Sequence, residues 1–148
     1  MPINKIFTRG VCEFMDKYAK LVELALLARE NAYAPYSSFK VGASLLTKNG
    51  LVYSGCNVEN ASYSETVCAE RVALLKAVSE GVCDFVAMCI VGGKGDILSF
   101  TYPCGACRQA LSEFAGEDFE IVLYDGENIE RVRLDSLLPN GFSKNSIC

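Results

Sequence analysis

The sequence contains no histidine. That absence excludes an imidazole general base and every metal site built on an imidazole ligand. Basic charge is not in excess either: 14 Lys and Arg stand against 18 Asp and Glu, for a net charge of −4 and a pI near 4.9. A polyanionic partner is normally met by a basic stripe, and no Lys/Arg cluster occurs here, so nucleic acid is not the expected partner. Long apolar runs are missing as well. Stretches such as Phe85 to Gly93 fall far short of the about 20 residues needed to span a bilayer, and no membrane association is expected. Residues Met1 to Thr8 lack the apolar segment of a secretory signal, which points to the cytoplasm.

Cysteine, by contrast, is plentiful, with eight in 148 residues. A secreted disulfide framework suits shorter, loop-rich chains. Five of the eight (Cys12, Cys56, Cys83, Cys89 and Cys148) are scattered without such a framework, and reduced thiols are expected. Cys89 falls inside an apolar strand, where a free thiol acts as a small hydrophobe. The length fits one domain, residues 1–148, able to bury about two-thirds of its unfolded surface.

From about Met15 to Asn31, apolar residues recur at helical spacing (Leu21, Leu24, Ala25, Ala28), predicting an amphipathic helix. Pro35 and the serines around it end that pattern. Val41 to Thr47 reads as a strand, Asn49-Gly50 as a hairpin turn and Leu51 to Gly55 as the return strand. Cys56 to Glu65 is loop-like. Thr66 is placed to cap a helix that runs to about Glu80 and stops at Gly81. Val86 to Val91 is a continuous apolar run, expected of a central strand covered on both faces. A helix from about Gly105 to Phe114, strands at Glu120 to Tyr124 and Ile129 to Val132, and a helical turn at Leu134 to Leu138 complete the chain. Helices alternating with strands predict an α/β protein, a three-layer α/β/α sandwich on one central sheet of about five strands.

The chemistry concentrates in Thr66-Val67-Cys68-Ala69-Glu70-Arg71 and Tyr102-Pro103-Cys104-Gly105-Ala106-Cys107-Arg108. Each stretch opens a helix. Cys104 and Cys107, three apart, share one face of a first turn, while Cys68 and Glu70 address a common point only off the end of theirs. Helix N-termini favour the thiolate that a metal requires. Three sulfurs around one zinc leave a fourth position for water, with Glu70 beside it, which is the arrangement of a catalytic site. Glu70 would then move protons. Three thiolates give the site a net −1 with Zn²⁺, and Arg71 and Arg108 are candidates to offset it by hydrogen bonds to sulfur. The plainer alternatives are solvated arginines, an exposed helical glutamate, and a structural zinc knuckle closed by a fourth donor such as Cys56.

The sequence resembles the small, homotetrameric, zinc-dependent cytidine deaminases of nucleoside salvage. Five blocks carry the resemblance: Ala34-Pro35-Tyr36-Ser37-Ser38-Phe39 with Val41-Gly42-Ala43; Asn57-Val58-Glu59-Asn60-Ala61; Cys68-Ala69-Glu70-Arg71; Pro103-Cys104-Gly105-Ala106-Cys107-Arg108-Gln109; and Leu137-Leu138-Pro139 with Phe142. It implies a mixed central sheet, one zinc per subunit on Cys68, Cys104 and Cys107, and attack by zinc-bound hydroxide at C4 of cytidine or 2′-deoxycytidine. It further implies that Phe39 stacks on the pyrimidine, that Asn57 and Glu59 hold the ribose hydroxyls, and that the Ala69 amide meets the base carbonyl. Ala61, Tyr63 and Phe142 would complete a neighbouring subunit's pocket in a homotetramer. A blasticidin S-type or other cytosine-nucleoside deaminase, a polynucleotide deaminase and a zinc-stabilised binding module are the competing readings.

Overall fold

The computed structural model describes residues 9–147, and the side chains of residues 17–147. The signal-region expectation at Met1 to Thr8 and the thiols of Cys12 and Cys148 therefore lie outside the described parts. The chain runs α1 (Arg9–Glu30), β1 (Phe39–Thr47), β2 (Val52–Cys56), α2 (Ala69–Ser79), β3 (Phe85–Lys94), β4 (Ile97–Ser99), α3 (Gly105–Ser112), β5 (Ala115–Tyr124), β6 (Ile129–Arg133) and α4 (Leu134–Leu137). The strands form one sheet in the order β2-β1-β3-β5-β6, with β4 folded back on β3. β3 and β5 are parallel and the other pairs antiparallel, so the sheet is mixed.

Alternation along the strands divides the core into two layers. Val41, Ala43, Leu45, Met88, Ile90, Ile121 and Leu123 face α2, α3 and α4. Leu46, Ala87, Cys89, Val91 and Val122 face α1, against Tyr18, Leu21, Val22 and Ala25. The expected α/β/α sandwich is what forms, and β3 is covered on both faces as its unbroken apolar run predicted. Among the described residues no helix is long and apolar enough to cross a membrane.

Two glycines set how closely the helices approach. A Cβ on Gly42 would lie 1.9 Å from the carbonyl oxygen of Ala25, inside α1. One on Gly55 would lie 2.6 Å from the amide of Ala73 and 2.7 Å from the carbonyl of Ala69, inside α2. The hairpin thus presses directly on the backbone of the helix that carries Glu70.

The boundaries differ from expectation in four places. α1 begins at Arg9, since no proline or turn cluster separates residues 9–14 from the periodic stretch. β5 begins at Ala115, its exposed Gly116-Glu117-Asp118 edge having the composition of a turn. β4 was hidden in a glycine-rich segment. Finally, α2 starts at Ala69 rather than just after Thr66. Val67 exchanges amide and carbonyl bonds with Val58, both at 2.9 Å, which holds the chain extended and delays the first helical turn.

Candidate metal centre and active site

That delay puts a cysteine at the N-cap of α2. Cys68 has extended dihedrals, and its carbonyl accepts from the amide of Val72 at 3.1 Å while its side chain makes no capping bond. α3 repeats the design: Cys104 is its N-cap, its carbonyl accepts from Arg108 at 2.9 Å, and again the side chain does not cap. N-caps are ordinarily Ser, Thr, Asp or Asn, whose oxygens turn back onto the helix. Sulfur at these positions stays free to point outward, off both helix ends.

The two outward thiols meet. Cys68 Sγ and Cys104 Sγ are 3.7 Å apart, and with Cys107 Sγ they form a cluster whose members all lie within 4.8 Å of one another. Tetrahedral zinc with bonds of about 2.3 Å separates its sulfurs by about 3.8 Å, so the cluster fits that ion. Among the described residues no fourth side chain joins the cluster, and Cys56, the donor a closed knuckle would need, is outside it. Cys107 is buried, Cys68 half-buried and Cys104 exposed, so the site opens on the Cys104 side.

The surrounding charges suit an anionic sulfur set. Hydrogen bonds from Cys107, opposed by burial and joined by Cys104 and Arg71, bring the Cys68 thiol down to about 5. Cys107 is pushed up in turn, first by donating to Cys68 and then by burial. Arg71 directs its charge at the sulfurs of Cys68 and Cys107 and donates from Nη2 to the Thr66 carbonyl at 3.4 Å, while its buried Nε has no partner. Glu70 is buried, 4% exposed. Burial raises its carboxyl to about 7, with the Cys68 charge adding and its own amide, Cys107 and Arg71 opposing.

Arg108 is placed differently. Its Nε donates to the Pro103 carbonyl at 2.7 Å and its Nη1 to the Leu137 carbonyl at 2.8 Å. It ties the Cys104 loop to α4 and directs no hydrogen bond at a sulfur. Of the two arginines only Arg71 reaches the thiols.

Of the remaining expected residues, Phe39, Asn57 and Glu59 gather around the start of β1, whereas Phe142 lies toward the other end of the sheet, near the start of β3. Phe39 is half-buried and packs against the α2-side core. The Asn57 side chain bridges this strand end, accepting from the Val41 amide at 2.9 Å and donating to the Phe39 carbonyl at 2.8 Å. Glu59 accepts from the amides of Tyr36 and Ser37 at 2.9 and 3.3 Å and from the Ser37 hydroxyl. These bonds, the Ser37 hydroxyl contributing most, outweigh partial desolvation and leave its carboxyl below the usual range. Ala69 is fully buried as the first residue of α2. Ala61 is exposed. Tyr63 stands out at 76% exposure, its ring edge-on to Tyr36 at 5.9 Å. Phe142 is 63% exposed, and its carbonyl accepts from Gln109 of α3 at 2.8 Å.

Two contributors are given no role in the reading of the sequence. Ser37 sits in a Pro-Ser turn and holds Glu59. Arg29, in the last turn of α1, is buried and donates to the carbonyls of Lys40, Gly93 and Gly95 at 3.0, 2.9 and 2.7 Å. A buried arginine satisfied by three carbonyls fixes the strand that begins at Phe39. A concavity of about 1050 Å³ opens at the starts of β3 and β5 between Phe85, Phe114, Leu134 and Leu138, and of the expected site residues it touches only Phe142.

Comparison with known proteins agrees with the geometry. Residues 15–123 match the model of the cytidine and deoxycytidylate deaminase zinc-binding region. The chain is 46% identical over 129 residues to the cytidine deaminase of Sporosarcina psychrophila, covering 86% of this chain and 93% of that one. It is 47% identical over 124 residues to the cytidine deaminase of Halalkalibacterium halodurans, covering 83% and 92%. The crystal structure of cytidine deaminase from Burkholderia pseudomallei superposes with a TM-score of 0.78 at 44% identity, covering 84% of this chain and 98% of that one. The blasticidin-S deaminase of Bacillus cereus is more distant, 30% identical over 131 residues, covering 84% and 93%. With its three sulfurs converging at two helix ends, the chain belongs to the family of zinc-dependent cytidine and deoxycytidylate deaminases.

Proposed function

We infer that this chain catalyses the hydrolytic deamination of free cytidine and 2′-deoxycytidine to uridine and 2′-deoxyuridine, releasing ammonia. The observation that carries this reading is the three-sulfur cluster with a buried Glu70 beside it and no fourth protein donor among the described residues. Zinc, when bound by Cys68, Cys104 and Cys107, lowers the pKa of water toward 7 and so supplies a hydroxide nucleophile at neutral pH.

The rest is the work of the chain's own groups. Glu70 accepts the proton of the incoming water, gives it to ring nitrogen N3, and then delivers a proton to the departing 4-amino group. The C4–N bond breaks as the C4 carbonyl forms. Burial keeps Glu70 clear of competing solvent. The Ala69 amide, at the positive end of α2, receives the base carbonyl. Phe39 stacks on the pyrimidine, and Asn57 and Glu59 hold the ribose hydroxyls. Arg71 directs its charge at the sulfurs, and this keeps three thiolates from quenching the metal's pull on water.

The reading extends to assembly and compartment. Ala61, Tyr63 and Phe142 complete a neighbouring subunit's pocket in a homotetramer, and the exposure of both aromatic rings supports this. Light scattering on the purified protein gives the subunit count. A cytoplasmic setting is supported by the unpaired state of Cys56, Cys83 and Cys89. The net charge of −4 favours a free nucleoside over a polynucleotide.

The decisive experiment is a cytidine assay, read by loss of ultraviolet absorbance, before and after chelation, with metal measured on the same samples. Zinc-dependent turnover is expected; turnover without zinc overturns the reading. The relative at 30% identity keeps blasticidin S as a second substrate to include. The Asn57-x-Glu59 pair and Phe39 favour the ordinary nucleosides, and preference for blasticidin S in that panel would reverse the assignment.

A further inference from the structure

Ser37 lies between two residues that the proposed function assigns to substrate. Its hydroxyl donates to Glu59 Oε1 and accepts from the Phe39 amide at 2.9 Å. The Ser37 and Tyr36 amides donate to the other oxygen, Oε2, at 3.3 and 2.9 Å. Next along the chain, Ser38 adopts a left-handed φ of 56°, uncommon for a residue with a side chain, and its amide donates to the Ala34 carbonyl at 3.0 Å. This turn doubles the chain back so that the Phe39 amide reaches the hydroxyl two residues earlier.

The arithmetic of the carboxylate gives the arrangement a purpose. An ionised carboxylate has about four acceptor positions. Tyr36 N–H, Ser37 N–H and Ser37 O–H occupy three of them, two on Oε2 and one on Oε1. The position left is on Oε1, beside the Ser37 hydroxyl. A flexible glutamate is thereby reduced to one outward-facing acceptor, and a relay from Phe39 N–H through Ser37 O–H to Glu59 polarises along its length. Ser37 is exposed, so water replaces its bonds readily in the unfolded chain and they add little to folding. Orientation, not stability, is what the hydroxyl supplies.

We propose that Ser37 is a positioning residue for substrate, setting the Glu59 carboxylate to receive a ribose hydroxyl and fastening it to the strand start that carries Phe39. This rests on the assignment of Glu59 to the ribose made above. Ser37 itself touches no reacting atom.

The test compares wild type, Ser37→Ala, Ser37→Thr, Glu59→Ala and the Ser37→Ala/Glu59→Ala double variant on cytidine and on 2′,3′-dideoxycytidine. A lost hydrogen bond to a charged group corresponds to about tenfold in affinity. Ser37→Ala is therefore expected to raise KM for cytidine about tenfold with kcat far less affected, and to leave kcat/KM for the dideoxy analogue unchanged. Ser37→Thr, which keeps the hydroxyl, restores cytidine binding. The double variant behaves as Glu59→Ala alone, since a residue acting through another adds nothing once that partner is gone. If Glu59→Ala leaves the cytidine KM unchanged, the ribose assignment itself falls, and the role of Ser37 with it. If Glu59→Ala raises KM while Ser37→Ala does not, or if the two penalties add, only the positioning role is overturned. A Ser37→Ala protein with a lowered melting temperature and an unaltered KM would likewise overturn it in favour of a structural role.

Discussion

Cys68 Sγ and Cys104 Sγ stand 3.7 Å apart across 36 residues of chain. Each is the N-cap of a different helix, and neither side chain makes a capping bond to its own helix. The sandwich brings two helix starts together, and the residue chosen for each start turns that meeting into a ligand set. The groups packed around that set have positions that imply separate, measurable roles.

Glu70→Gln keeps the size of the side chain but removes its basicity. Turnover of cytidine is expected to fall by about 10²–10⁴-fold, while metal analysis still finds one zinc per subunit. Near-normal turnover in a zinc-loaded variant would remove Glu70 from the proton path.

Arg71→Ala withdraws the cation that faces Cys68 and Cys107. Outer groups of this kind typically carry about 10–100-fold in activity or metal affinity. Hydrolysis is expected to slow by that factor with zinc retained. Arg108→Ala, whose hydrogen bonds run to the Pro103 and Leu137 carbonyls, is expected to act through stability and to leave the thiols' environment alone. A reversal of these two outcomes, read by turnover and thermal melting, would exchange the two roles.

Chelation changes which thiols react. With zinc bound, a thiol reagent at neutral pH labels exposed Cys83 and spares Cys68, Cys104 and Cys107. After chelation the lowered thiol of Cys68 and the exposed thiol of Cys104 become reactive, while buried Cys107, its thiol pushed up, lags behind them. Cys89 stays silent in both states, because burial pushes its thiol up to about 12. Peptide mapping by mass spectrometry reads the pattern, and protection of Cys68 that survives chelation would count against it as a ligand.

Gly55→Ala places a Cβ 2.6 Å from the Ala73 amide and 2.7 Å from the Ala69 carbonyl. Backbone cannot swing aside, so α2 must shift. Overpacking of this kind costs about 1–3 kcal/mol, and activity is expected to fall further than stability because Glu70 moves with the helix. Gly116→Ala, where the added Cβ meets nothing within 4 Å, is the control, expected within about 0.5 kcal/mol of wild type. Urea denaturation and cytidine turnover give both quantities, and a fully active Gly55→Ala protein would disprove the coupling.

The site was more legible in the sequence than the edges of the fold. Helix geometry fixes where Cys68 and Glu70, and Cys104 and Cys107, point within each stretch, whereas joining the two stretches into one site rests on the resemblance to the deaminase pattern. Thr66 misled because its capping preference is local, whereas the bond between Val67 and Val58 that overrides it joins separate segments. The strand β4 escaped for a related reason: Gly92, Gly93 and Gly95, which follow the apolar run, carry no local strand signal. Yet a Cβ on Gly93 would lie 1.9 Å from the Ile97 carbonyl, so that glycine marks a close strand return. Arg108 beside Cys107 in sequence looked equivalent to Arg71 beside Glu70. Which of the two reaches sulfur depends on the Leu137 carbonyl, contributed by α4.

The uncapped starts of α2 and α3 have a consequence for the life of the protein before it meets substrate. With sulfur where a serine or aspartate would fasten the first turn, neither helix can finish itself, and the ion becomes the clasp common to both. Newly made chains short of zinc would thus fray at the two places where the nucleoside is to be received, and the acquisition of metal completes the architecture in the same event that arms it.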